Sequence, residues 1–198
     1  MTQIHEHALG LSWVMDDAMQ RASHALLDGE RVWLVDPVDD PAALERAAGL
    51  GAPAGVLQLL DRHNRDCAPI AARLGVPHVK VPRVLPEAPF ACQSVMRNRL
   101  WREVALWWPA RRALIVAEAL GTAPAFAVGD GPVGVHPMLR LLSPKALKGF
   151  HPEHLLVGHG PPVSGPDLGE QVDRAIDHAG RDVPKLLLKL PSLILAGR

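Results

Sequence analysis

The segment from residue 55 to residue 74 constrains the fold of this chain more than any other. Residues 55–60 form a short apolar run that predicts a β-strand buried on both faces of a sheet. Residues 66–74 then carry Ile70 and Leu74 at helical spacing, and Gly75 marks the end of the predicted helix. Strands buried on both faces occur in sheets that helices cover, so the segment predicts a layered α/β protein.

Short apolar runs alternate with helical patterns along the rest of the chain. Residues 22–27 and 31–35 predict a hairpin, because Asp28 and Gly29 between them favour a tight turn. Further strands are expected at 78–81, 100–107, 113–117 and 153–157, and further helices at 41–49, 167–179 and 184–195. The segments 82–97 and 121–144 are predicted to be irregular because of their Pro and Gly content, apart from one short helix at 138–142.

Length and charge exclude several classes of protein. The 198 residues suit one domain, predicted to span 1–198 with a C-terminal helical segment at about 167–198. Lys and Arg total 21, as do Asp and Glu, so the net charge is zero and no nucleic-acid partner is expected. The first residues lack a signal-peptide pattern, and no apolar stretch is long enough to span a membrane. With only two cysteines, Cys67 and Cys92, the sequence predicts a cytoplasmic protein.

Three places in the sequence could carry chemistry, and each follows a predicted strand. The polar run 61–67 follows the buried strand, Glu118 follows the strand at 113–117, and His159 lies between two glycines after the strand at 153–157. Ligands of α/β sheets bind beyond the carboxyl ends of the strands, so these places are candidates for one site. A plainer interpretation stays open at each of them, since Asp66 can act as a helix N-cap and Glu118 can be solvated.

The order of these places resembles the metallo-β-lactamase fold superfamily. The resemblance covers about residues 22–163 and depends on Leu34-Val35-Asp36, the run 61–67 with its helix, residues 113–120 and Val157-Gly-His-Gly-Pro-Pro. It implies an αββα four-layer sandwich with a metal-bearing cleft along one edge. It also implies hydrolysis by a metal-bound hydroxide, on substrates that vary between lactams, thioesters, lactones and phosphoesters.

The central H-x-H-x-D-H motif of that superfamily is eroded in this chain. Arg62 and Asn64 stand at the first two His positions, Asp66 stands at the Asp position, and Cys67 stands at the final His position. His63 falls on a spacer position of the motif. The resemblance therefore implies that the ligands of the usual first metal are lost, because its third His has no counterpart between residues 78 and 136 either.

The positions that hold the second metal in the superfamily keep residues able to bind one. They are Asp66, Cys67, Glu118 and His159, of which Glu118 stands at the bridging-Asp position. One sulfur, one nitrogen and two oxygen donors suit a tetrahedral Zn²⁺, and Fe²⁺ less well. Asp36 matches an Asp that usually supports the site. The alternative is a metal-free ion-pair network in which the Arg62 guanidinium replaces the cation; a site with two metals is the third reading.

The sequence thus predicts a hydrolase-like protein with a degenerate metal centre, without the usual dinuclear zinc site and with lost or redirected activity. The alternative is an active single-metal hydrolase of ester-, thioester-, lactone- or phosphoester-type small molecules. In that case Asp66 and Arg62 are the catalytic candidates, and Arg62 stabilises the developing negative charge. Arg62, His63, Asn64 and His136 are the candidates for binding a substrate or other small ligand. A homodimer is compatible with either interpretation.

Overall fold

A computed structural model describes residues 2–186 and residue 188, and shows a mixed α/β fold with two main β-sheets. The first sheet has six strands in the order β1-β2-β3-β4-β5-β6. Strands β1 to β4 pair antiparallel, whereas β4, β5 and β6 pair parallel. The strands are β1 (Gln3–His7), β2 (Gly10–Val14), β3 (Ala22–Asp28), β4 (Arg31–Val35), β5 (Ala52–Gln58) and β6 (His78–Lys80).

The second sheet has five strands in the order β13-β12-β9-β8-β7. Strands β9 and β12 pair parallel, and the other pairs are antiparallel. A separate two-stranded ribbon joins β10 to β11. The strands are β7 (Ala91–Arg97), β8 (Arg102–Trp108), β9 (Ala113–Val116), β10 (Leu120–Gly121), β11 (Gly134–Val135), β12 (His154–Val157) and β13 (Val163–Ser164).

The described residues also form the α-helices α1 (Pro41–Ala48), α2 (Cys67–Leu74) and α3 (Leu168–His178). The Asp40 side chain caps α1 by accepting from the Ala43 N–H, and Gly75 ends α2 with a φ of 67°. One apolar cluster joins α1 and α2 to residues of β2, β3, β4 and β5. A larger cluster contains residues of both sheets and the apolar side of α3. Among the described residues, no helix is long and apolar enough to cross a membrane.

Most of the predicted elements are present, and six strands form that the sequence did not predict. The predicted hairpin is β3 and β4, and the predicted strand–helix unit is β5 and α2. The expectation that 82–97 is irregular is wrong at its end, because β7 forms there by pairing with β8. Strands β1 and β2 were not expected, and β10 and β11 interrupt the segment 121–144. Tertiary pairing overrides weak local propensity in such strands. The helix predicted at 184–195 lies mostly outside the described residues.

Four strand ends meet at one edge of the structure and place the candidate site there. Asp36 follows β4, the polar run 61–67 follows β5, Glu118 follows β9, and His159 follows β12. A bridge between Arg21 and His159 connects the first sheet to the end of β12. Because β4 and β5 are parallel, as are β9 and β12, their carboxyl ends bring these residues together.

Candidate metal centre

His63, Glu118 and His159 form a cluster of potential metal ligands at this edge. One ligand atom from each lies within 4.8 Å of the other two. His63 Nε2 lies 2.7 Å from Glu118 Oε1, and His159 Nε2 lies 3.5 Å from the same oxygen. Both imidazoles are buried and the Glu118 side chain is 16% exposed, so the cluster opens toward solvent through the carboxylate.

A backbone carbonyl lies behind the His159 imidazole and a carboxylate lies behind the His63 imidazole. His159 Nδ1 lies 2.9 Å from the Met19 carbonyl oxygen, which can only accept, so Nδ1 carries a proton and Nε2 points toward the cluster. His159 Nε2 is buried and makes no hydrogen bond. His63 Nδ1 lies 3.6 Å from Asp36 Oδ2, and Asp36 Oδ1 accepts from the Leu59 N–H at 3.1 Å. A carboxylate or carbonyl behind each imidazole is the usual support of a metal-ligating His.

The buried carboxylate of Glu103 holds Glu118 in place. Its Oε1 accepts from the backbone N–H groups of Glu118 and Ala119 at 2.8 and 2.9 Å, and its Oε2 accepts from Trp101 Nε1 at 2.7 Å. Burial raises the pKa of Glu103, against the effect of these donors. Glu103 is the second residue of β8, and nothing in its sequence context distinguishes it from a solvated Glu.

A third imidazole and two aromatic rings line the other side of the cluster. His136 Nε2 lies 3.7 Å from Glu118 Oε2, and His136 Nδ1 accepts from the Met138 N–H. The Phe126 ring stacks on His159 and meets His136 edge-on, with centroid distances of 5.4 and 5.3 Å. Trp101 meets His136 edge-on at 5.0 Å. These rings limit the access of water to one side of the cluster.

Burial and neighbouring charges shift the pKa values of Glu118, His63 and His136. Burial favours the neutral form of Glu118, but His159, His63 and His136 outweigh it and hold the pKa of this carboxyl well below its usual range. At 3.5 Å the His159 contact is electrostatic rather than a hydrogen bond, since His159 Nε2 has no hydrogen-bond partner. Burial and Arg65 oppose the charged form of His63, yet Asp36 and Glu118 raise its pKa. Burial lowers the pKa of His136 despite Glu118 beside it, so His136 is neutral at pH 7.

Arg65 supplies a fixed positive charge next to the cluster. Its guanidinium donates to the carbonyl oxygens of Ala22, Asp36 and Gly158, the last two at 2.9 Å. Arg65 and Asp36 have positive φ angles of 38° and 43°, which are uncommon for residues other than Gly. The side chain therefore ties β3 to the ends of β4 and β12, and its charge acts on both His63 and Glu118.

The structure brings together only two of the four predicted ligands, Glu118 and His159. Asp66 Oδ2 instead accepts from the Asp39 N–H at 2.8 Å, as a brace between α2 and the loop before α1. Cys67 is fully buried in the apolar core under α1 and α2, where its thiol lies 3.9 Å from the His63 carbonyl oxygen. Burial raises the pKa of this thiol to about 12, so it is not a thiolate. The first turn of α2 directs Cys67 into that core, and among the described residues neither Asp66 nor Cys67 belongs to a ligand cluster.

The predicted substrate-binding residues divide between the cluster and its surroundings. His63, expected on a spacer position, is a member of the cluster, and His136 borders it. Arg62 is exposed, donates to the Leu100 carbonyl at 2.7 Å and covers the Trp101 ring at 4.3 Å. Asn64 Oδ1 is exposed and accepts from Lys80 at 3.2 Å. Arg65, which was not among the predicted site residues, is the cation whose charge acts on His63 and Glu118.

The donor set fits a single metal ion. Catalytic zinc sites use three protein ligands and keep a further position open, and two His with one carboxylate also suit Fe²⁺. His159 Nε2 is a buried atom without a hydrogen-bond partner, which an ion would satisfy. His63, Glu118 and His159 would hold the ion, and the Arg65 cation disfavours a second one beside it.

Solved structures of low sequence identity share this fold. The DIM-1 metallo-β-lactamase has a TM-score of 0.55 at 11% identity, over 90% of this chain and 98% of that one. A metallo-β-lactamase from Erythrobacter litoralis has a TM-score of 0.53 at 10% identity, over 91% and 87%. The chemotaxis sensor ODP, solved as a peroxy diiron species, has a TM-score of 0.53 at 14% identity, over 89% and 94%. The chain therefore has the metallo-β-lactamase fold. No protein-family model and no curated protein matches its sequence.

Proposed function

We propose that this chain is a single-domain αββα metallo-β-lactamase-fold hydrolase that works with one metal ion on His63, Glu118 and His159. The observation that carries the proposal is His159 Nε2, which is buried without a hydrogen bond while its Nδ1–H is fixed on the Met19 carbonyl. The expected substrates are small molecules with an ester, thioester, lactone or phosphoester group.

A metal ion bound there would supply an activated water and a Lewis acid. The protein residues around it have separate tasks. Asp36 and the Met19 carbonyl orient His63 and His159. Neutral His136 accepts at Nδ1 from the Met138 N–H, so it carries its proton on Nε2, 3.7 Å from Glu118 Oε2, and can donate it there. Arg62 lies exposed at the rim, beside Trp101, where its guanidinium can bind an anionic group of the substrate.

Metal analysis of the protein and of matched variants tests this assignment. After loading with Zn²⁺ or Fe²⁺ and removal of excess metal, we expect about one ion per chain in the parent protein. His159→Ala and His63→Ala should lose it, because each removes a ligand. Asp66→Asn and Cys67→Ala serve as controls and should retain it, since both residues lie outside the cluster. Equal retention in His159→Ala would contradict the assignment.

A second candidate is a metal-free site that binds a small molecule without hydrolysing it. The 2.7 Å contact between His63 Nε2 and Glu118 Oε1 favours it, because this hydrogen bond satisfies both groups without an ion. The same measurement separates the two candidates. Less than about 0.2 ion per chain after loading would favour the metal-free site, since a functional site should fill at excess metal.

A further inference from the structure

A cavity of about 410 Å³ lies beside the cluster of His63, Glu118 and His159, on the same edge of the structure. It opens where β5 and β6 end and where β8 begins, with β7 on its outer side. Six charged residues line it: Lys80, Arg83, Arg97, Arg102, Asp61 and Glu103. A cavity of this size falls in the range of small-molecule sites, and ligands favour this end of parallel strands.

The cations of this cavity exceed the carboxylates that can neutralise them. Arg102 pairs with Asp61 at 3.1 Å. Arg83 and Arg97 form no ion pair with any residue in the described part of the chain. The Glu103 carboxylate faces away, because its oxygens accept from Trp101 and from the backbone of Glu118 and Ala119. The cavity therefore has a surplus of positive charge at its rim.

Two of these cations lie directly opposite each other. Arg97 of β7 and Arg102 of β8 are register partners in the antiparallel pair, so their side chains leave the same face of the sheet. Like charges in this position destabilise a sheet. Asp61 already pairs with Arg102, and an anion bound between the two arginines would offset the repulsion that remains.

The rest of the lining is apolar and includes a strained residue. Val81, Pro82, Met96 and Val104 form this part of the wall. Val81 has a φ of 47°, which is an outlier for a β-branched residue, and such strain concentrates at ligand sites. The cavity thus combines an apolar wall with a cationic rim.

We propose that this cavity binds a small organic anion, with its carboxylate or phosphate group on Arg83, Arg97 and Arg102 and its apolar part against Val81 and Met96. The proposal does not depend on the metal cluster. Carboxylates and phosphates share the chemistry that these arginines recognise, and the probes below separate them.

Calorimetric titration with three probes tests the proposal. Phenyl phosphate and phenylacetate carry the two anionic groups, and phenylacetamide is the neutral control. We expect at least one anion to bind about tenfold or more tightly than the amide. Arg83→Gln and Arg97→Gln should each weaken that binding about tenfold. Arg99→Gln removes the same charge from the same region without lining the cavity, and should change it less than about twofold.

Cys92 gives a local measure of occupancy because it lines the cavity and is half-buried, whereas Cys67 is fully buried. The bound anion should slow alkylation of Cys92 by iodoacetamide, and the amide should not. Three results would overturn the proposal: no preference for either anion over the amide, equal weakening by Arg99→Gln, or anion binding that His159→Ala abolishes and Arg97→Gln leaves intact. The last result would place the anion on the metal cluster instead. Thermal unfolding of each variant confirms that it is folded.

Discussion

The His63 imidazole and the Glu118 carboxylate form a hydrogen bond of 2.7 Å across 55 residues of sequence. His63 Nε2 donates, because the carboxylate of Glu118 is ionised and can only accept. On its other side His63 faces Asp36, so the imidazole lies between two carboxylates. This arrangement holds a proton where a metal ion would bind, and it makes the two occupants compete.

We expect metal affinity to rise with pH. Although burial opposes its charged form, Asp36 and Glu118 raise the pKa of His63, so metal binding must displace the Nε2 proton. Titration of Zn²⁺ in buffers of different ionisation enthalpy should therefore show proton release near pH 7. An affinity independent of pH would contradict this prediction.

Glu118→Gln should lower the pKa of His63 in chelator-treated protein, since it removes one of the two carboxylates that favour the imidazolium. Because the pKa of His63 is raised in the folded protein, its stabilising effect is complete below pH ~6.5 and is lost as the pH rises through the folded value. NMR titration of the imidazole measures the shift. Glu153→Gln changes an exposed carboxylate paired with Arg112 and should leave the pKa of His63 unchanged.

A buried hydrogen-bond chain should make the protein sensitive to acid. His7 Nε2 donates to Ser12 Oγ, Ser12 donates to His24 Nδ1, and His24 Nε2 donates to the Val157 carbonyl, at 2.8, 2.7 and 3.1 Å. Burial lowers the pKa of His24 to about 3. As the pH falls from ~6.5 toward about 3, the unfolded chain therefore binds a proton that folded His24 does not, and His24 alone should lower stability by about 1.4 kcal/mol per pH unit.

His24→Leu tests the contribution of this chain of hydrogen bonds. At pH 7 the variant should lose about 1–3 kcal/mol, because the Val157 carbonyl and Ser12 lose a partner. Its stability should also depend less on pH than that of the parent protein. Denaturant unfolding from pH 4 to pH 8 measures both effects, with His178→Gln on the half-exposed end of α3 as the control. A parallel pH dependence in His24→Leu and the parent would refute the assignment.

Arg65→Met should have opposite effects on the fold and on metal binding. Three carbonyl groups lose a charged donor, and a hydrogen bond to a charged group contributes about 1.5–3 kcal/mol, so the free energy of unfolding should fall. The variant also removes a cation beside Glu118, so Zn²⁺ should bind more tightly. Arg62→Met removes an exposed cation and should change both quantities less. Weaker Zn²⁺ binding by folded Arg65→Met would show that Arg65 supports the site.

Cys67→Ala should leave the metal content unchanged and lower stability by about 1 kcal/mol, because it removes a small buried side chain from the core under α1 and α2. Elemental analysis and denaturant unfolding of the same sample check both expectations. A loss of metal with the fold intact would show that Cys67 is a metal ligand after all.

The sequence alone was informative about the elements with strong local signals. The apolar run before the polar segment 61–67, the helix that Gly75 ends and the Gly-His-Gly turn all carry such signals, and the order of these places indicated the metallo-β-lactamase fold. The same order placed Glu118 and His159 at strand ends, where the structure brings them together. Strands β1, β2 and β7 were not predicted because pairing with neighbouring strands stabilises them more than the β-propensity of their own residues does.

The composition of the cluster was decided by the tertiary structure. Motif spacing assigned Asp66 and Cys67 as ligands and His63 as a spacer, but where each side chain points depends on how the chain turns between β5 and α2. In that turn Arg65 adopts a positive φ, Cys67 faces the core under α1 and α2, and His63 faces Glu118. Sequence spacing determines which residues are close along the chain, whereas burial and hydrogen bonding determine which side chains share the site.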